Sequence, residues 1–160
     1  MLIGVMSDSH DDMGQIRKAV DLFNQRGVAL VLHAGDLVSP FTFEVLDDLV
    51  AEFAGIFGNN DGDRLLLAEK SKGRVHNQPY FRRFDGKMLA MMHEPDFLNS
   101  VARCGDFDIV IYGHLHKPDV RTVAKTLIVN PGKVAELHKG TSTVAIVDTE
   151  AMEAEIAELI

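Results

Sequence analysis

The stretch Leu2-Ile3-Gly4-Val5-Met6-Ser7-Asp8-Ser9-His10 decides the fold class. An unbroken apolar run stops at a polar cluster, which reads as a short buried strand with chemistry at its carboxyl end. Downstream, Ile16, Ala19, Val20 and Phe23 recur at i, i+3, i+4 and i+7, the spacing of an amphipathic helix. Gly27 ends that helix, and Val28 to Leu32 form a second buried strand. The spacing of Phe41, Val45, Leu46, Leu49 and Val50 predicts a second helix, with Pro40 near its first turn. Phe53 to Phe57 is a third strand, and a helix from about Asp63 to Glu69 follows. Strands alternating with helices at this short spacing imply βαβ units and parallel pairing.

Beyond residue 80 the pattern changes. Phe81 to Phe84 and Lys87 to Met92 flank Asp85-Gly86, a two-residue hairpin signal. Phe97 to Cys104 reads as a helix and Ile109 to Tyr112 as a buried strand. Val120 to Val123, Thr126 to Val129 and Thr143 to Val147 are further strands. In the tail, Met152, Ala154 and Ile156 alternate with Glu153 and Glu155, which favours a strand reached by a turn near Asp148 to Glu150. Parallel units therefore come first and antiparallel strands second. Two sheets packed face to face, with helices outside, would house them in one domain, residues 1–160.

Composition narrows the partners. The chain has 160 residues and a formal net charge of −8, with 46% hydrophobic and 25% charged residues. Those fractions fit a folded soluble domain and exclude extensive disorder. The longest apolar run, Gly27 to Leu32, is too short to span a bilayer, so no membrane partner is expected. Met1 to Met6 lacks the basic flank and cleavage pattern of a secretory leader, and a single cysteine, Cys104, makes no internal disulfide. The expected location is the cytoplasm. A net negative chain repels a polyphosphate backbone, so a nucleic-acid polymer is not an expected partner. A small phosphate ester is compatible if its site carries metal.

Five polar clusters each follow an apolar strand. They are Asp8-Ser9-His10, Gly35-Asp36, Gly58-Asn59-Asn60-Asp61, His93, and Gly113-His114-Leu115-His116. In open α/β sheets ligands bind beyond the carboxyl ends of strands, so the clusters are expected to converge. In extended backbone, Asp8 and His10, and likewise His114 and His116, would point the same way. The inventory is two carboxylates, one amide oxygen and four imidazoles. Seven donors exceed one four-coordinate zinc and fall short of two closed cages. Two ions sharing one carboxylate, with positions open to water, fit the count. A set of oxygen and nitrogen donors without thiolate favours manganese, with nickel, iron, zinc or cobalt as alternatives, over calcium. Two divalent ions outweigh Asp8, Asp36 and a bridging hydroxide, leaving a site of about +1 in a negative protein. Such a site holds a phosphate oxygen. Two ions roughly 3.5–4 Å apart acidify a bridging water and clamp the attacking and departing oxygens.

The ordered set Asp-x-His, Gly-Asp, Gly-Asn, His and Gly-His-x-His resembles the calcineurin-like metallophosphoesterases, and within them the small single-domain prokaryotic phosphodiesterases. The match spans residues 1 to about 147, and the turn Asn130-Pro131-Gly132 is also similar to one in this group. The resemblance implies an α/β (α+β) fold, a four-layer αββα sandwich of two mixed β-sheets. It implies that Asp8, His10 and His116 hold one ion, that Asn59, His93 and His114 hold the other, and that Asp36 bridges them. Asp36, Asn59 and His93 then carry the catalysis, and a metal-bridging hydroxide attacks a small phosphodiester. A homo-oligomer is possible.

Four positions depart from the family pattern. Many members place a histidine after the asparagine, where it protonates the leaving oxygen or steadies the transition state. Here that position is Asn60, assigned to substrate binding, and it cannot supply a proton near neutral pH. Leu115 replaces a small hydroxyl residue, Glu94 a glycine and Lys133 a serine. The rival functions are a non-catalytic protein-binding scaffold of the same fold, like a retromer subunit, and a phosphomonoesterase.

Each residue also has a plainer role open to it. Asp8 and Asp36 could cap helices. His33 is expected to support the site rather than ligate. His76 and His138 read as solvated loop residues, Cys104 as a small buried hydrophobe, and Met88, Met91 and Met92 as core.

Overall fold

Residues 1–136 and 140–160 are described by a computed structural model; His138 lies outside them. The first sheet has the order β11-β10-β1-β2-β3-β4, and the second β5-β6-β7-β9-β8. In the first, β1 (Leu2–Met6), β2 (Leu30–His33), β3 (Glu52–Ile56) and β4 (Val75–His76) run parallel. The strands β10 (Thr143–Asp148) and β11 (Glu153–Glu158) close its other edge antiparallel, so the alternating tail is a strand. In the second sheet, β5 (Tyr80–Phe84) pairs antiparallel with β6 (Lys87–Met91) across Asp85-Gly86. The centre of that sheet, β6, β7 (Ile109–Ile111) and β9 (Thr126–Asn130), is parallel. At its far edge β8 (Asp119–Val123) runs antiparallel to β9. The second half is thus mixed rather than antiparallel throughout, because the helix after β6 acts as a crossover.

Alternation along the strands assigns three apolar layers. Ile3, Val5, Leu30, Leu32 and Ile56 face Leu89, Met91, Ile109, Ile111 and Val129 between the sheets. Met6, Val31 and Phe53 point the other way. They pack on Ile16, Val20 and Phe23 of α1 (Met13–Arg26) and on residues of α2 (Phe43–Leu46) and α3 (Arg64–Lys70). On the outer side of the second sheet, Met92, Val110 and Ile128 pack on Leu98 and Ala102 of α4 (Leu98–Arg103). These three apolar layers separate the four structural layers of an αββα sandwich.

Local chemistry sets the element ends. Asp12, not Asp8, caps α1 by accepting from Gln15 N at 3.1 Å, and Gly27 closes the helix in the left-handed region at φ 64°. Gly4 has no room for a side chain, since a Cβ there would meet the Phe23 ring at 2.7 Å.

The second helix is shorter than its spacing predicts. A 3-10 turn, Pro40–Thr42, leads into a single turn of α2. The Asn24 amide then captures the chain: Nδ2 donates to Asp48 O at 3.0 Å, and Oδ1 accepts from Val50 N at 2.9 Å. Side chain to backbone bonds of this kind compete with helix continuation; Val50 at their end is exposed, as is Phe41 in the 3-10 turn. Cys104 also departs from expectation: it caps α4 at the surface, with Sγ donating to Val101 O. His76 belongs to β4 and stacks on Tyr80 at 4.5 Å. No helix among the described residues is long and apolar enough to cross a membrane.

Candidate metal centre

All five polar clusters lie just past strand ends, and backbone bonds tie them into one surface. Asp8 N donates to Gly35 O, and Ser9 N and His10 N both donate to Asp36 O, which zips the β1 loop to the β2 loop. Gly113 N donates to His93 O, and His114 N donates to the Asp8 carboxylate. Asn130 Nδ2 reaches back to Gly113 O at 3.0 Å, the task of the Asn130-Pro131-Gly132 turn.

Asp61, which the sequence reading gave no role, organises the middle of this surface. Its buried carboxylate accepts from Asp36 N (3.1 Å), Val38 N (2.6 Å) and Gly58 N (2.7 Å). A carboxylate two residues after a candidate ligand, on a tight glycine turn, was the available signal. Gly58 is required there, because a Cβ would drive into the Asp36 carboxylate and backbone.

The seven donors form a connected chain. His116 Nε2 lies 3.1 Å and His10 Nε2 4.0 Å from Asp8 Oδ1. His10 Nε2 is 3.6 Å and His93 Nε2 3.4 Å from the same atom, Asp36 Oδ2. On the far side, Asn59 Oδ1 lies 2.9 Å from both His93 Nε2 and His114 Nδ1. Asp8 with His10 and His116, and Asp8 with Asp36 and His93, are each grouped tightly enough to hold a metal ion.

Backbone strain marks the same residues. Asp8, His10, Asp36, His114 and His116 all have φ between 41° and 68°. Left-handed backbone is uncommon for residues other than glycine, and its clustering is typical of functional sites. The Asp8 to His10 and His114 to His116 pairs thus converge by sharp turns, not by the extended backbone expected from spacing.

Electrostatics and burial fit a cation. Asp8, Asp36 and His93 are buried, whereas Asn59 and His114 are exposed, which leaves one side open to a ligand. Burial works against ionisation of Asp36, yet bonds from His93 and Asn60 hold its carboxyl well below the usual carboxylate range. Burial also pushes His93 down, but Asp36 and the Ala34 carbonyl outweigh it and raise the imidazole to about 9. His93 Nδ1 donates to Ala34 O at 2.7 Å, so Nε2 is aimed at Asp36 and Asn59. His10 Nε2 is buried without a hydrogen-bond partner among the described residues. A buried imidazole nitrogen of this kind, beside two carboxylates, is what a cation would satisfy.

Two neighbours were assigned other parts. Asn60, expected to meet substrate, bonds Asp36 twice, from N to Oδ1 at 2.8 Å and from Nδ2 to Oδ2 at 2.7 Å. His33 is fully buried, accepts from Gly35 N, and lies 2.9 Å from Ser9 Oγ, inside the loops rather than among the donors. A larger groove of about 700 Å³ beside Pro40, Phe43 and Leu66 contains none of the donors.

The calcineurin-like phosphoesterase superfamily domain matches residues 1–152. The chain belongs to this superfamily. A phosphodiesterase from Methanocaldococcus jannaschii is 36% identical over 96% of both chains. The solved structure of an archaeal phosphodiesterase superposes with a TM-score of 0.92 at 33% identity, covering 99% of this chain and 100% of the other. Vps29 of Entamoeba histolytica shares the fold, with a TM-score of 0.71 at 20% identity over all of both chains. Superfamily membership and the grouped Asp and His donors together identify a site for divalent metal in a phosphoesterase.

Proposed function

We propose that this superfamily member is a phosphodiesterase working with two divalent ions, manganese first among nickel, iron, zinc and cobalt. One observation carries the reading: Asp36 Oδ2 stands between His10 Nε2 and His93 Nε2, at 3.6 and 3.4 Å, with a donor set on each side. Asp8, His10 and His116 would hold one ion, Asn59, His93 and His114 the other, and Asp36 would bridge. Such a pair of ions supplies an acidified water as nucleophile and neutralises phosphoryl charge.

The chain's own residues do the rest. The bond from His93 Nδ1 to the Ala34 carbonyl keeps Nε2 unprotonated when an ion is present, so the ring ligates rather than titrates. Asn59, exposed at the open side, orients a phosphoryl oxygen beside His93. Asn60 steadies Asp36 and is exposed at the same opening, where it would meet substrate. The net charge of −8 selects a small phosphate ester over a nucleic-acid polymer, and the cytoplasm is the matching compartment. A scaffold of the same fold has no need of this donor set, and a connected set of all seven supports the enzyme.

The test is hydrolysis of bis-p-nitrophenyl phosphate by protein loaded with manganese. Metal-dependent release of p-nitrophenolate is expected, exceeding the rate on p-nitrophenyl phosphate. A protein that binds two ions and leaves the diester intact would be a scaffold, and faster cleavage of the monoester would make it a phosphomonoesterase.

A further inference from the structure

Beside the donor set lies a cleft of about 480 Å³ whose walls include Pro79, Met92, Phe97 and Val101, with Glu94 and Asp96 at its edge. Met92 and Glu94 flank His93 in sequence, so the cleft adjoins the centre. Gln78 joins the two: its Oε1 accepts from His93 N at 2.7 Å, and its Nε2 donates to Glu94 Oε2 at 2.6 Å. We propose that this cleft seats an uncharged planar aromatic arm of the phosphodiester, stacked on Phe97, while the phosphate sits at the metal centre. The proposal rests on the phosphodiesterase reading and names the substrate class for it.

Phe97 carries the argument. The residue is 81% exposed, an uncommon state for phenylalanine, and has left-handed backbone at φ 58°. The strain is held in place, since Phe97 O accepts from Ser100 N at 2.9 Å and Val101 N at 3.0 Å at the start of α4. A large apolar ring carried on backbone held in this way at the mouth of a cleft offers a stacking surface. Apolar walls at Met92 and Val101 and the stiff ring of Pro79 shape the floor for a flat group.

Charge sets the other limit. Glu94 lines the cleft, and the Gln78 amide fixes its carboxylate there. With Asp96 beside it, the cleft repels an arm that ends in a second phosphate or a carboxylate and accepts a neutral one.

The test compares two esters with one leaving group, methyl p-nitrophenyl phosphate and phenyl p-nitrophenyl phosphate, with each rate divided by that in hydroxide solution. Stacking and burial of one ring predict a kcat/KM ratio of roughly tenfold in favour of phenyl. In Phe97→Ala this ratio falls toward one, and in Phe97→Trp it is kept. Phe81→Ala, at an exposed ring elsewhere on the surface, retains the parent ratio. A parent ratio near one, or a ratio that survives Phe97→Ala, overturns the cleft assignment. Calorimetric binding of diphenyl against dimethyl phosphate separates the two readings. No hydrolysis of either ester, with a phenyl preference in binding that Phe97→Ala removes, overturns the phosphodiesterase reading and leaves the cleft standing.

Discussion

Asn60 holds Asp36 at both carboxylate oxygens, through its backbone N–H at 2.8 Å and its side-chain amide at 2.7 Å. The residue that occupies the place of a family histidine is thus a clamp on the candidate bridging group. It has no proton to give a departing alkoxide near neutral pH.

Leaving-group dependence follows from that chemistry. Across a series of aryl phosphodiesters, rates are expected to fall steeply as the pKa of the departing phenol rises. Asn60→His supplies an acid and flattens the slope. A shallow slope in the parent protein would show that protonation is already provided by another group.

Asp36 joins the two halves of the donor set. Asp36→Ala is expected to lower bound manganese from two ions per chain to none, read by elemental analysis after gel filtration. Activity should drop by at least about a hundredfold, the scale of losing an electrostatic group that acts at the reacting centre. Retention of one ion would mean that Asp36 does not bridge.

Asp61 acts through backbone. Its carboxylate satisfies three N–H groups, of which those of Asp36 and Gly58 lie at the heart of the loops. Asp61→Ala strands these donors and is expected to destabilise the fold by roughly 3 kcal/mol or more in urea denaturation. Metal affinity should fall with it. Asp61→Asn keeps an acceptor oxygen and should lie between the two. An unchanged unfolding midpoint in Asp61→Ala would show the loops to be held by other bonds.

His33 gives a pH signature. Burial first, and then the neighbouring His93, lower this imidazole from an ordinary 6.5 to about 3. Between about pH 6.5 and 3 the unfolded chain binds a proton that the folded chain does not. Stability therefore decreases as pH falls through this window. With metal removed by chelator, the loss from this residue between pH 7 and pH 4 is expected to be on the order of 3 kcal/mol. His33→Gln removes the titrating group while keeping polar atoms for Ser9 and Gly35. Its stability should vary less with pH over that interval, and an equal variation would place the proton uptake elsewhere.

Much of the fold was legible because apolar periodicity reports burial directly. Leu2 to Met6 and Ile16 to Phe23 formed the elements their spacing predicts, and the alternating tail formed a strand over Glu153–Glu158. The miss at residues 46–50 has a tertiary cause: Asn24, over twenty residues away, takes the backbone groups that a longer α2 would use. Cys104 was misread because composition gives no sign of whether a helix end meets solvent. At the site, the convergence of the five polar clusters was legible from their places after apolar strands, whereas local geometry was not. Left-handed turns at Asp8, His10, His114 and His116 depend on bonds between loops from different strands. The part played by Asp61 depends on three partners drawn from two of those loops.

The most direct measurement is anomalous diffraction at the manganese edge from crystals grown with that metal. Two peaks are expected, one among Asp8, His10 and His116, the other among Asn59, His93 and His114, with Asp36 in contact with both. A single peak, or density for manganese away from these side chains, would contradict the two-ion centre.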